Sequence, residues 1–155
     1  MTTASSNFGF LLQLIGTGGI PAVHVGAGDP EGSETGNLGD IYLRTDGGPG
    51  NSLYVKQAGG GGNTGWIPAG PALIEDLTAQ VTGFTPVFTL SSKAYHNTVL
   101  GIEIQVALNG IKMREGAGND FTASESGGVG TGFDTITFNF TPAAGYALLV
   151  EYLPR

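Results

Sequence analysis

Two histidines, thirteen carboxylates and no cysteine are the titratable stock from which this 155-residue chain could build chemistry. His24 and His96 stand in no nucleophilic or zinc motif: the sequence has no Gly-x-Ser-x-Gly elbow, no His-Glu-x-x-His and no Gly-Lys-Ser/Thr phosphate loop. Each reads as a surface or partly packed side chain. The carboxylate pairs Glu75-Asp76 and Asp29 with Glu31 have the residue types for acid/base work. Adjacency in sequence does not set them across a cleft, so they read as solvated loop charges. Gly130-Thr131-Gly132-Phe133-Asp134, and more loosely Gly116-Ala117-Gly118-Asn119-Asp120, have the spacing of calcium-binding repeats. That architecture needs a tandem array, and these two copies are separated and unequal, so tight loops between strands are the reading. Asn139-Phe140-Thr141 fits a glycosylation acceptor but falls inside an expected strand. No catalytic residue, metal or cofactor is expected, and the chain reads as non-enzymatic.

The elements that would position any site follow from composition. Glycine supplies 28 residues and charged residues only 12 %, against 40 % hydrophobic. So much glycine disfavours helices, and so much apolar content disfavours disorder. Six basic against thirteen acidic side chains give −7, which opposes a groove that tracks phosphates. Nucleic acid is not an expected partner. The start, Met1 to Gly19, lacks a basic leader region, and its apolar run from Phe8 to Ile15 is shorter than a membrane span. Neither export through a signal peptide nor membrane insertion is expected.

Residues 1–70 hold 18 of the 28 glycines, so the two parts of the chain are built differently. In the first, Asp40-Ile41-Tyr42-Leu43-Arg44-Thr45 and Ser52-Leu53-Tyr54-Val55-Lys56 flank a run of turn formers and predict a β-hairpin. Trp66, the only Trp, follows a turn and reads as an anchor between this module and a partner. In the second, strands are expected over residues 81–90, with Pro86 limiting that segment to an edge, a bulge or a strand start. Further strands are expected over 99–108, 111–114, 120–124, 135–140 and 147–152. Asn109-Gly110 is a two-residue hairpin turn. Ile136, Phe138 and Phe140 alternate onto one face and should share a core with Val106 and Leu108. Residues 72–80 leave a helical turn or a linker open. The predicted class is all-β: a Gly-rich N-terminal attachment arm (1–37), a β-hairpin module (38–70) and an antiparallel β-sandwich, jelly-roll or Ig-like (71–155).

The ordered elements Gly39-Asp40-Ile41-Tyr42-Leu43-Arg44-Thr45-Asp46-Gly47-Gly48, Leu53-Tyr54-Val55-Lys56 and Gly62-Asn63-Thr64-Gly65-Trp66 resemble a module of tailed-bacteriophage virion structural proteins. Val106 to Ile111, Glu115 to Thr122, Ile136 to Phe138 and Leu149 to Tyr152 are similar to phage virion β-domains, so the resemblance covers most of residues 38–152. It implies a structural protein on the outer surface of the virion, assembled in the host cytoplasm and often homotrimeric. Lacking shaft repeats, the chain fits a head decoration or cement protein or a short head fibre. Its expected partners are its own copies and the major capsid protein or another virion protein. The alternative is a tail-fibre, tail-tip or baseplate component that binds a host-surface glycan through Tyr95, Trp66 or Phe133. The expected assembly residues are the apolar cluster Phe8, Phe10, Leu11, Leu12, Leu14 and Ile15, with Tyr42, Tyr54 and Trp66.

Overall fold

A computed structural model of the chain describes residues 21–155. The chain divides into two units, Met1–Gly70 and Pro71–Arg155. Among the described residues there is no α-helix, and none of the elements is a helix long and apolar enough to cross a membrane.

The first unit holds one sheet ordered β1-β2-β3-β4, formed by Val23–Gly26, Ile41–Arg44, Leu53–Lys56 and Trp66–Pro68. β2 and β3 make the expected antiparallel hairpin, with Tyr42 opposite Tyr54. β1 was not legible in the sequence. It runs parallel to β2, so residues 27–40 must carry the chain back to the other end of the sheet. Within the segment expected as an attachment arm, residues 23–26 are a sheet strand and Glu31 bonds the backbone of Gly65 and Trp66.

The second unit is the expected antiparallel β-domain. Its strands are β5 (Leu73–Asp76), β6 (Val87–Tyr95), β7 (Gln105–Leu108), β8 (Ile111–Met113), β9 (Phe121–Ser124), β10 (Phe133–Phe138) and β11 (Leu148–Pro154). β11 serves two sheets. Its first residues lie between β5 and β7, with β8 beyond, and its end pairs Leu153 with Tyr95 of β6, beyond which stand β10 and β9. A strand that changes sheets makes a corner, and the two layers close on one core. Phe88, Ile136, Phe138 and Phe121 meet Val106, Leu108, Leu148 and Val150 there.

Side chains complete this sheet where strands do not. The amide of Gln80 donates to Thr89 O at 2.8 Å and accepts from Thr89 N at 2.9 Å, standing in for a neighbouring peptide group. Both Glu75 oxygens accept from Ser91 N, and one also accepts from Tyr152 Oη at 2.8 Å. Burial, with that carboxylate beside it, pushes the Tyr152 phenol up to about 12.

Several expectations change in detail. Residues 72–80 are β5 followed by a 3-10 turn, Thr78–Gln80, rather than a linker. The segment 81–90 becomes a strand only after Pro86, whose carbonyl accepts from Phe138 N. Residues 99–108 are not one strand: Asn97 caps a 3-10 turn, Thr98–Leu100, and Gly101 closes it in the left-handed region at φ 69°. Phe140 is corrected from core to surface, being 41 % exposed. The chain bends after Phe138 because the Asn139 amide groups bond the carbonyls of Asp120 and Asn119, which ends the alternation. The Asn109-Gly110 turn is as expected, with φ of 49° and 78°.

Asp134 occupies an inward position of β10 yet is charged. It is held by Lys93 Nζ, by the amide and hydroxyl of Ser126 and by Thr135 Oγ1. Burial alone would raise its pKa, but these donors outweigh it and hold the carboxyl well below the usual carboxylate range. A carboxyl depressed in the folded state contributes stability above its unfolded value, here 3.8, and loses it as pH falls through the folded one. Urea midpoints by circular dichroism should drop for the intact chain between roughly pH 5 and pH 2. Asp134→Asn, less stable at neutral pH, should drop less over that window. Parallel acid limbs would remove the role given to Asp134.

Candidate functional site

Strand pairing sorts the side chains of the first unit onto two faces. His24, Tyr42, Tyr54 and Pro68 stand in one cross-strand row, and Lys56 and Trp66 in another on the same face. Tyr42, Tyr54 and Trp66 are buried as a cluster of edge-to-face rings, with Trp66 centroids 5.9 Å from Tyr42 and 5.5 Å from His24. Trp66 Nε1 donates to Glu34 O at 2.6 Å, and Gly36 passes so close that a Cβ there would lie 2.5 Å from the indole. Trp66 is thus the centre of the core of its own unit, and Tyr42 and Tyr54 share that core.

Charged groups line the same core. The Lys56 ammonium donates to Gly62 O at 2.6 Å and Thr64 O at 2.5 Å, 5.3 Å above the Trp66 ring. Burial pushes its pKa below the ordinary lysine value, and Glu31 and Asp40 oppose that. The Asp40 carboxylate accepts from Ala22 N at 2.7 Å and Asn37 N at 2.8 Å. Its burial would raise the pKa, but these amides and the His24 ring more than offset it and leave the carboxyl below its ordinary value. His24 is clamped, with Nδ1 2.8 Å from Glu34 and Nε2 3.1 Å from Asp40. Both ring nitrogens are committed to carboxylates. In the second unit His96 packs on Phe133 at 4.7 Å and lies 3.0 Å from Glu115. Glu75 is spent on Ser91 and Tyr152, Asp29 accepts from Glu31 N, and Asp120 accepts from Arg114 N. Among the described residues no three His, Cys, Asp or Glu converge in the manner of a metal site.

The opposite face of the first sheet is different in kind. Val23, Ile41, Val55 and Ile67 form one cross-strand row and Val25, Leu43 and Leu53 the next, with no polar side chain among them. Only Ile67 is buried, whereas Val25 is 66 % and Leu43 43 % exposed. Seven aliphatic side chains on one sheet face are what a second layer normally covers. This face is the candidate site, and its chemistry is apolar association. Reading the hairpin as an aromatic assembly element missed it. The available signal was that Ile41-Tyr42-Leu43 and Leu53-Tyr54-Val55 are apolar at both parities, the pattern of a strand covered on both sides.

The remaining expected residues are placed as follows. Phe8, Phe10, Leu11, Leu12, Leu14 and Ile15 lie outside the described residues. Of the aromatic residues expected to meet a glycan, Tyr95 and Trp66 are buried and Phe133 is covered in part by His96, so that selection is corrected. Phe84, 91 % exposed, is the most accessible aromatic residue of the second unit. No family model, curated protein or solved structure matches the chain.

Trp66→Ala should remove about 3–5 kcal/mol from the first unit, the range for emptying a buried large aromatic site. As the sole Trp, Trp66 reports on its own surroundings: the intact chain should emit at short wavelength and shift to the red when the first unit unfolds. Red-shifted emission from the folded protein would contradict the burial described here.

Proposed function

We propose that this chain is a non-enzymatic structural protein of a tailed-bacteriophage virion, a homotrimeric head decoration or short head-fibre subunit on the outside of the particle. The virion setting rests on the resemblance carried by residues 39–66 and 106–152. The assembly role rests on one observation, the aliphatic face of Val23, Val25, Ile41, Leu43, Leu53, Val55 and Ile67. A four-stranded sheet gains little from leaving such a face in water, and three copies meeting around an axis would bury it without further chain. The titratable groups support the same reading, because Asp40, Lys56, His24 and Asp134 are used to hold the backbone and one another. The apolar run at residues 8–15 offers a second contact, to the particle.

Phe84 favours a second reading, a tail or baseplate component binding a host glycan, since an exposed ring can stack on a sugar. Immunolabelled virions in negative stain separate the two: label over the head lattice supports decoration, and label confined to the tail, with glycan-array binding lost in Phe84→Ala, supports the second.

Val25→Asp with Leu43→Asp places two carboxylates on the aliphatic face without touching the aromatic core. By light scattering the intact chain should be a trimer, and this variant should fall to monomer while keeping short-wavelength Trp66 emission. A monomeric intact chain would remove the trimer, and a trimeric variant would remove this face as its contact.

A further inference from the structure

The outward face of the β5-β11-β7-β8 layer carries a row whose ends are of opposite charge. Cross-strand register places Asp76 beside Leu149, Leu149 beside Ala107, and Ala107 beside Lys112. The adjoining row runs Ile74, Glu151, Gln105. Ile74 is 70 % and Leu149 42 % exposed, and they border an open groove of about 260 Å³ that reaches Lys112. Neighbouring strands stand about 4.8 Å apart, so Asp76 and Lys112 are separated by roughly 14 Å across the sheet. They are too far apart to pair with each other, and Asp76 keeps one oxygen on the Thr78 amide at 2.9 Å.

We infer that this face docks on the same face of a second copy, about a two-fold axis parallel to the strands and between β11 and β7. That operation sets Asp76 of each copy over Lys112 of the other, Leu149 over Ala107, and Glu151 over Gln105. Along the first row each charge meets its opposite and the apolar pair closes the centre, while in the second row Glu151 meets an amide and Ile74 meets the end of β8 at Arg114. The other in-plane axis, perpendicular to the strands, sets Leu149 over Glu151 and Asp76 over Ile74, which strands charge on hydrocarbon. The register therefore selects one of the two. A face of four short strands offers far less than the roughly 800 Å² per partner of a stable interface. The contact is weak alone and gains strength when the aliphatic faces already hold copies together, which raises the effective concentration. In that respect it rests on the assembly proposed above. Three copies joined through their first units would be linked to the next three through this face.

Zero-length carbodiimide coupling tests it on the intact chain, using an equal mixture of 15N-labelled and unlabelled protein. An amide between Lys112 and Asp76 carrying one labelled and one unlabelled peptide is expected. Its yield should fall several-fold in Leu149→Asp, a surface change that sets a carboxylate over Ala107 and leaves the core untouched. Absence of the mixed-isotope amide while light scattering shows a trimer overturns this contact alone. Its presence in a chain that is otherwise monomeric at low concentration supports the contact and removes the trimer. An amide whose yield is unchanged by Leu149→Asp overturns the groove as its seat.

Discussion

A Gly-rich chain with short strands has more peptide groups in loops than in ladders, and those groups must find partners wherever the loops are buried. Here charged side chains supply them. One Glu31 oxygen accepts from the amides of both Gly65 and Trp66, Lys56 gathers the carbonyls of Gly62 and Thr64, and Asp40 holds Ala22 and Asn37. In the second unit Glu125 takes the amides of Gly130 and Gly132, and Asp134 takes that of Ser126. Leaving a buried group of this kind unpaired costs about 1–3 kcal/mol, so the contacts of Glu31, Lys56 and Asp40 around the three-ring core are a main part of what holds the first unit. Carboxylates and a lysine tied to the backbone in this way act as staples of the loops they hold.

Local sequence carried the hairpin, the Asn109-Gly110 turn and the inward set of Ile136 and Phe138, because each depends on residues within a few positions. It did not carry β1. Val23-His24-Val25-Gly26 is a short strand whose only ladder among the described residues is parallel, to residues far along the chain. Nor did it reveal that Gln80 and Glu75 complete β6, since a side chain posing as a strand leaves no periodic trace. Phe140 fits the alternation perfectly well by type, and only the Asn139 contacts with the preceding loop take it out of the core.

The candidate site was half legible for a reason of parity. β2 and β3 place an aromatic residue between aliphatic ones, and aromatic side chains carry the larger burial, so the Tyr42, Tyr54 and Trp66 face drew the assembly role. The loop from Pro30 to Gly36, pinned by Glu31 and by Trp66 Nε1, lies over those rings instead. Strand composition shows that both faces are apolar. Which of them the described residues cover depends on a loop whose path is fixed by carboxylate contacts more than thirty residues away in sequence.

Net charge sets the conditions under which the two exposed faces can act. At −7 per chain, copies repel at long range, although at physiological salt that repulsion fades beyond about 8 Å. Association through Val25 and Leu43 has no charge partner to lose to salt, so added salt removes the repulsion and leaves the apolar gain intact. The Asp76 and Lys112 contact behaves oppositely, because its attraction is screened along with the repulsion. In the assembly proposed above, apolar contacts would hold the trimer and charge would tune the links between trimers, so ionic strength would loosen those links before the trimers themselves.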